Sequence, residues 1–165
     1  PRGALGSSRA LRLLLRRRGR LDSVEGITDH LTHVFGVIGS PGFRQDPRAK
    51  LALFERAARR GIYPLGTARQ MAAIMASGDR RALLQTITAP TLVIHGIDDP
   101  LVRVAGGMDT ARNIRGARLK LVPGMGHDFP PQLLRGIAVM IAEHCRAAVS
   151  GAAAAPSQTA PDRAA

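Results

Sequence analysis

The chain has 165 residues, a length that fits one domain around one core, and its 45% apolar and 22% charged content is that of a folded protein rather than a disordered one. The formal net charge is +12, carried almost wholly by arginine, with Lys50 and Lys120 the two lysines. A basic surface can hold nucleic acid or acidic lipid. Aromatic residues are only 3% and tryptophan is absent, so the stacking platforms of sequence-tolerant nucleic-acid binders are missing and nucleic acid is not an expected partner.

The first 20 residues concentrate the arginines: Arg9, Arg12, Arg16, Arg17, Arg18 and Arg20 surround a short leucine run. This is read as a solvated helix face, too short for a membrane span or a signal core, so a soluble, cytoplasmic chain is expected. It begins with Pro1 rather than Met, which points to a start further upstream.

A capping box is expected at Asp22-Ser23-Val24-Glu25, with Asp22 accepting from an early amide and Val24, Ile27, Leu31 and Val34 following at helical spacing. His30 and His33 lie on that helix, but no third ligand is in sight and no metal is expected. The helix stops at Gly39-Ser40-Pro41-Gly42. A second starts at Asp46-Pro47, buries Leu51, Phe54 and Ala58, and ends at Gly61. A third runs from Thr67 through Met71, Ile74 and Met75 to Gly78. Asp79 then caps a short fourth with Leu83 and Leu84 inside.

The period changes at Pro90. Thr91-Leu92-Val93-Ile94-His95 is a continuous apolar run of the kind buried on both faces of a parallel sheet. A helix carrying Val104, Met108, Ala111 and Ile114 follows, then a second strand, Leu119-Lys120-Leu121-Val122, and a closing helix with Leu133, Ile137, Met140, Ile141 and His144. The lone cysteine, Cys145, allows no intramolecular disulfide, offers no metal spacing and is expected to be buried. From Ser150 the chain turns to an Ala/Pro-rich tail with nothing to bury, expected to be disordered.

A crossover helix makes the two strands parallel, so both following loops open on one edge of the sheet, where open α/β folds place their ligands. The first loop reads G-I-D-D-P-L-V (96–102), the second P-G-M-G-H-D (123–128). They put a carboxylate and an imidazole at the mouths of adjacent strands about 4.8 Å apart. A carboxylate on one ring nitrogen fixes the tautomer and leaves the other to take a proton from a hydroxyl. Asp98 competes with Asp99 as that carboxylate; Asp128 is expected to cap the last helix or face solvent, and His95 to be a packed histidine.

The segments P-T-L-V-I-H-G-I-D-D-P-L-V (90–102) and A-R-L-K-L-V-P-G-M-G-H-D (117–128) resemble the last two βα units of the α/β-hydrolases, in the cap-bearing branch of esterases, epoxide hydrolases and haloperoxidase-like enzymes. The resemblance implies that Asp99 is the triad acid and His127 the triad histidine. More loosely, V-I-G-S-P-G-F (37–43) and G-T-A-R-Q-M-A-A-I (66–74) look like the helical cap, which implies that Met71, Ile74 and Met75 line a substrate pocket, with core packing as the alternative. The expected organisation is a cap region over residues 1–88, the C-terminal βαβα part of an α/β-hydrolase core over 89–148 and a tail over 149–165, with the first core strands missing.

The nucleophile of that fold sits in G-x-S-x-G between a strand and a helix. Ser7, Ser8, Ser23, Ser40, Ser77, Ser150 and Ser157 all fail the pattern; Ser40 has Gly42 after it but Ile38 before it. The resemblance therefore implies hydrolysis of a small carboxylic ester without a cofactor in the complete form, and an isolated chain that is not a working esterase. The rival expectation is a non-catalytic remnant that binds a partner through an exposed sheet edge.

Overall fold

The structure, a computed structural model, describes residues 21–61 and 63–154. The arginine-rich start lies outside them. Helix α1 spans Val24–Ile38 and α2 Pro47–Arg59; α3 spans Pro64–Ala76 and α4 Arg81–Gln85. Then come strand β1 (Leu92–Gly96), α5 (Val104–Asn113), β2 (Arg118–Val122) and α6 (Pro131–Ala154).

Local chemistry sets most of these boundaries, with two corrections. The N-cap of α1 is Ser23, not Asp22: its extended backbone lets the hydroxyl accept from the Gly26 amide at 3.1 Å. Asp46 caps α2 as expected, accepting from the Arg48 amide at 3.0 Å with Pro47 at the first helical position. Helix α3 starts at Pro64 rather than Thr67, because a proline at the first position needs no amide partner and its fixed φ suits the helix. Asp79 accepts from the Arg81 amide at 3.0 Å at the start of α4.

Helices α1 and α2 pack on each other, with the Phe35 and Phe54 rings 5.3 Å apart; Ile27, Val34 and Ile38 of α1 and Phe54 and Ala58 of α2 are buried. Leu51 is exposed instead of buried, and so is Leu83 of α4.

Strands β1 and β2 are parallel, in the register Leu92↔Arg118 to Gly96↔Val122. Side chains of a strand alternate between faces, and both faces are used. The His95 ring lies against Gly107 of α5, while Ile94 and Val122 join Ile137, Leu133 and Met140 of α6 with Met125 and Phe43. Burial is less than expected. Strand β1 is half-buried, and Arg118, Leu119 and Lys120 of β2 are exposed, because among the described residues the sheet has two strands and no third to cover its edges.

Helix α6 runs on to Ala154, several residues into the stretch assigned to the tail; residues 155–165 lie outside the described residues. Alanine is the strongest helix former, so a low-complexity run of it extends a helix as readily as it frays. Cys145, on the outer side of α6, is exposed rather than buried. No helix among the described residues is long and apolar enough to cross a membrane.

Candidate active site

The parallel register brings the ends of β1 and β2 side by side, and both loops leave from the same edge. The Ile97 amide donates to the Val122 carbonyl at 3.0 Å and the Asp98 amide to the Met125 carbonyl at 3.1 Å, so the two loops are hydrogen-bonded from their first residues. Gly96 makes this approach possible: a Cβ there would collide with the Met125 carbonyl.

Asp99 lies one turn further. Its Oδ1 accepts from the amides of Leu101 at 2.8 Å and Val102 at 2.9 Å, an arrangement that leaves the carboxylate one orientation. Its Oδ2 lies 2.8 Å from His127 Nδ1. The Asp99 side chain is only 6% exposed, whereas that of His127 is 42% exposed. Burial works against ionisation of Asp99, but the bond from His127 and the two amides outweigh it, so its pKa lies below the ordinary carboxylate range. The hydrogen bond to Asp99 raises the His127 pKa above the usual histidine value; burial opposes this, and the charges of Asp99 and Asp128 add to it. An ionised carboxylate can only accept, so Nδ1 of the neutral ring carries the proton and Nε2 is the basic nitrogen.

Asp98 does not compete for the imidazole. It is exposed, and its Oδ2 accepts from the Gly124 amide at 2.7 Å, closing the base of the second loop. His95 Nε2 lies 3.0 Å from the Val102 carbonyl, at the end of the 96–102 loop. His30 has a buried Nδ1 with no hydrogen-bond partner, yet no group of three His, Cys, Asp or Glu able to hold a metal occurs among the described residues.

Asp128 neither caps α6 nor faces solvent. Its carboxylate accepts from the Ser40 amide at 2.8 Å, from the Ser40 hydroxyl and from Gln45 Nε2 at 3.0 Å, drawing the start of the helical region onto the histidine loop. Sequence reasoning missed these partners 83 and 88 residues away. The signal was the glycine content of both segments, which permits backbone on backbone: a Cβ on Gly42 would collide with Gly124, and one on Gly126 with Gly39.

Met71, Ile74 and Met75 are not brought to this corner. Ile74 is 48% and Met75 76% exposed, and the cavity beside the site, about 750 Å³, is lined instead by Phe35, Leu51 and Phe54 with Lys50, Ser40 and Asp98. Those three α3 side chains follow a helical period, but among the described residues no other element packs extensively on α3.

No family model matches the sequence. A non-heme haloperoxidase of Rhodococcus erythropolis is 44% identical over 45 residues, 27% of this chain and 16% of that protein. Among solved structures, a meta-cleavage product hydrolase of Pseudomonas fluorescens superposes with a TM-score of 0.58 at 16% identity, over 87% of this chain and 51% of the other. An esterase of a Rhodococcus strain gives 0.58 at 16%, over 87% and 49%, and an esterase of Exiguobacterium antarcticum 0.55 at 19%, over 85% and 47%. The chain thus spans about half the length of the solved structures it matches. Two parallel strands flanked by helices, overlaying these hydrolases over half their length, make the chain a C-terminal portion of the α/β-hydrolase fold.

Proposed function

We propose that Asp99 and His127 are the acid and the base of a serine-hydrolase triad acting on small carboxylic esters, and that the hydroxyl nucleophile comes from outside this sequence. In that reaction His127 Nε2 takes the proton of the hydroxyl as its oxygen attacks the ester carbonyl, and returns it to the departing alcohol. Asp99 fixes the ring and stabilises the imidazolium between the two transfers. The observation that carries the reading is the 2.8 Å contact of His127 Nδ1 with a carboxylate that two backbone amides have already oriented. Support for an outside nucleophile comes from Ser40, the serine of the sequence that approaches the pattern: it is buried, and its hydroxyl bonds Asp128 and the Gly126 amide.

The test is to challenge the purified chain with p-nitrophenyl acetate and a fluorophosphonate probe. The expected result is background hydrolysis and no labelled serine, since removal of a nucleophile typically costs many orders of magnitude in rate. Stoichiometric labelling of any serine in this chain would overturn it.

The open edges of the two-stranded sheet among the described residues favour a second reading, a non-catalytic chain that binds a partner by pairing along such an edge. The same purified chain separates the two in a titration of its histidines: a binding remnant has no need of an oriented imidazole.

A further inference from the structure

The segment 38–45 and the histidine loop are joined by more hydrogen bonds than packing alone requires. The His127 amide donates to the Ile38 carbonyl at 2.7 Å, the Gly42 amide to the Gly124 carbonyl at 2.9 Å and the Gly126 amide to the Ser40 hydroxyl at 2.9 Å. Asp128 closes the set by accepting from the Ser40 amide and hydroxyl and from Gln45. The residues on both sides of His127 are thereby tied to one serine 86 to 88 positions earlier in the chain. The Asp128 carboxylate places a second negative charge near the imidazole, while its bonds fix the backbone from which the ring projects.

We propose that Ser40 and Asp128 are a positioning pair for His127, so that the helical region supplies part of the geometry of the base. The inference rests on the reading of His127 as the base. Among the described residues, the charges that act on His127 are Asp99 on the 96–102 loop and Asp128 on its own loop; Asp98 holds the Gly124 amide, and the Lys50 ammonium of α2 lies beside Gly39. Of these, Asp99 sets the tautomer and Asp128 the placement. The hydrogen bonds of Ser40 and Gln45 go to Asp128 and the loop backbone rather than to the ring, so their effect on it passes through those groups.

The experiment is nitrogen-detected NMR of the histidine side chains in the intact chain, comparing the unaltered protein with Asp128→Asn, Ser40→Ala and Asp99→Asn. Asp128→Asn is expected to lower the His127 pKa, and Ser40→Ala to shift the neutral ring from one tautomer to a mixture. The Gly126 amide should exchange about tenfold faster in Ser40→Ala, the scale of one lost hydrogen bond. That last change is local and would occur in a merely structural role; the tautomer change would not. Ser40→Thr, which keeps a hydroxyl, should restore the single tautomer. If Ser40→Ala does not fold, Gln45→Ala removes only the outer bond to Asp128 and should move the ring in the same sense by less. A His127 pKa and tautomer unchanged in folded Asp128→Asn and in Ser40→Ala or Gln45→Ala overturn the proposal. If Asp99→Asn still disturbs the ring, the base assignment survives that outcome; if it does not, the base assignment falls as well.

Discussion

Two parts of this molecule carry equally regular sequence patterns and are built to different standards. The corner formed by residues 38–45, 96–102 and 123–128 is held by backbone-to-backbone contact, by the Asp99 and Asp128 carboxylates, which each accept several hydrogen bonds, and by glycines that allow no Cβ. Helices α3 and α4 have an apolar stripe too, but Leu65, Ile74, Met75 and Leu83 stand exposed, and where α4 meets α5 an ion pair joins Arg81 to Asp109 at 3.2 Å. An apolar period shows which face a helix would bury. Whether anything lies opposite is decided elsewhere in the chain.

The largest break in that contrast should come from a single methyl group. Gly126→Ala puts a Cβ into the Gly39 carbonyl, backbone against backbone, so the two loops must part; a loss of about 3 kcal/mol in denaturant unfolding is expected. In α3, Gly66 faces only the Tyr63 ring, which can swing aside, and Gly66→Ala should be close to neutral. Equal costs at the two positions would erase the distinction.

Core truncations sharpen it at the next level. Ile137→Ala removes a buried side chain from the cluster with Val122 and Met125 and should cost roughly 2 to 4 kcal/mol. Met75→Ala should stay within about 0.5 kcal/mol. A large cost at Met75 would reveal a covering surface on α3.

The pH dependence of stability isolates the loops that carry Asp99 and His127. Asp99 has a lowered pKa, so its contribution is present above the unfolded carboxylate value of about 3.9 and is lost as pH falls through the lower folded one. His127 has a raised pKa, so its contribution is complete below the unfolded value of about 6.5 and is lost as pH rises through the higher folded one. Their joint contribution is therefore greatest in the window between about pH 4 and 6.5. Asp99→Asn should remove that maximum, as read from unfolding midpoints across pH. At the small end, Arg81→Ala should change stability by no more than about 0.5 kcal/mol, because Arg81 is exposed and its pairing with the half-buried Asp109 is screened by water.

How much of this was legible in the sequence follows from range. Both strands, their parallel order and the meeting of Asp99 with His127 are properties of one β-α-β unit, where a short apolar run and a turn dictate the local path. The cap of α1 was misread by one residue because Asp22 and Ser23 are both good caps, and backbone angles rather than side-chain chemistry choose between them. Asp128 was misplaced because its partners lie in another element altogether, and a carboxylate beside a helix start looks like a cap whatever else it touches. The exposure of Met75, Leu83 and Cys145 shares one cause: periodicity encodes an apolar face, not the presence of a neighbour.

The most direct check on the central claim is the protonation of His127 alone. A nitrogen-resolved titration should find the neutral ring protonated at Nδ1, a pKa above that of an ordinary histidine, and a fall in that pKa when Asp99 becomes asparagine. A ring protonated at Nε2, titrating at or below the ordinary value and indifferent to Asp99, would contradict it.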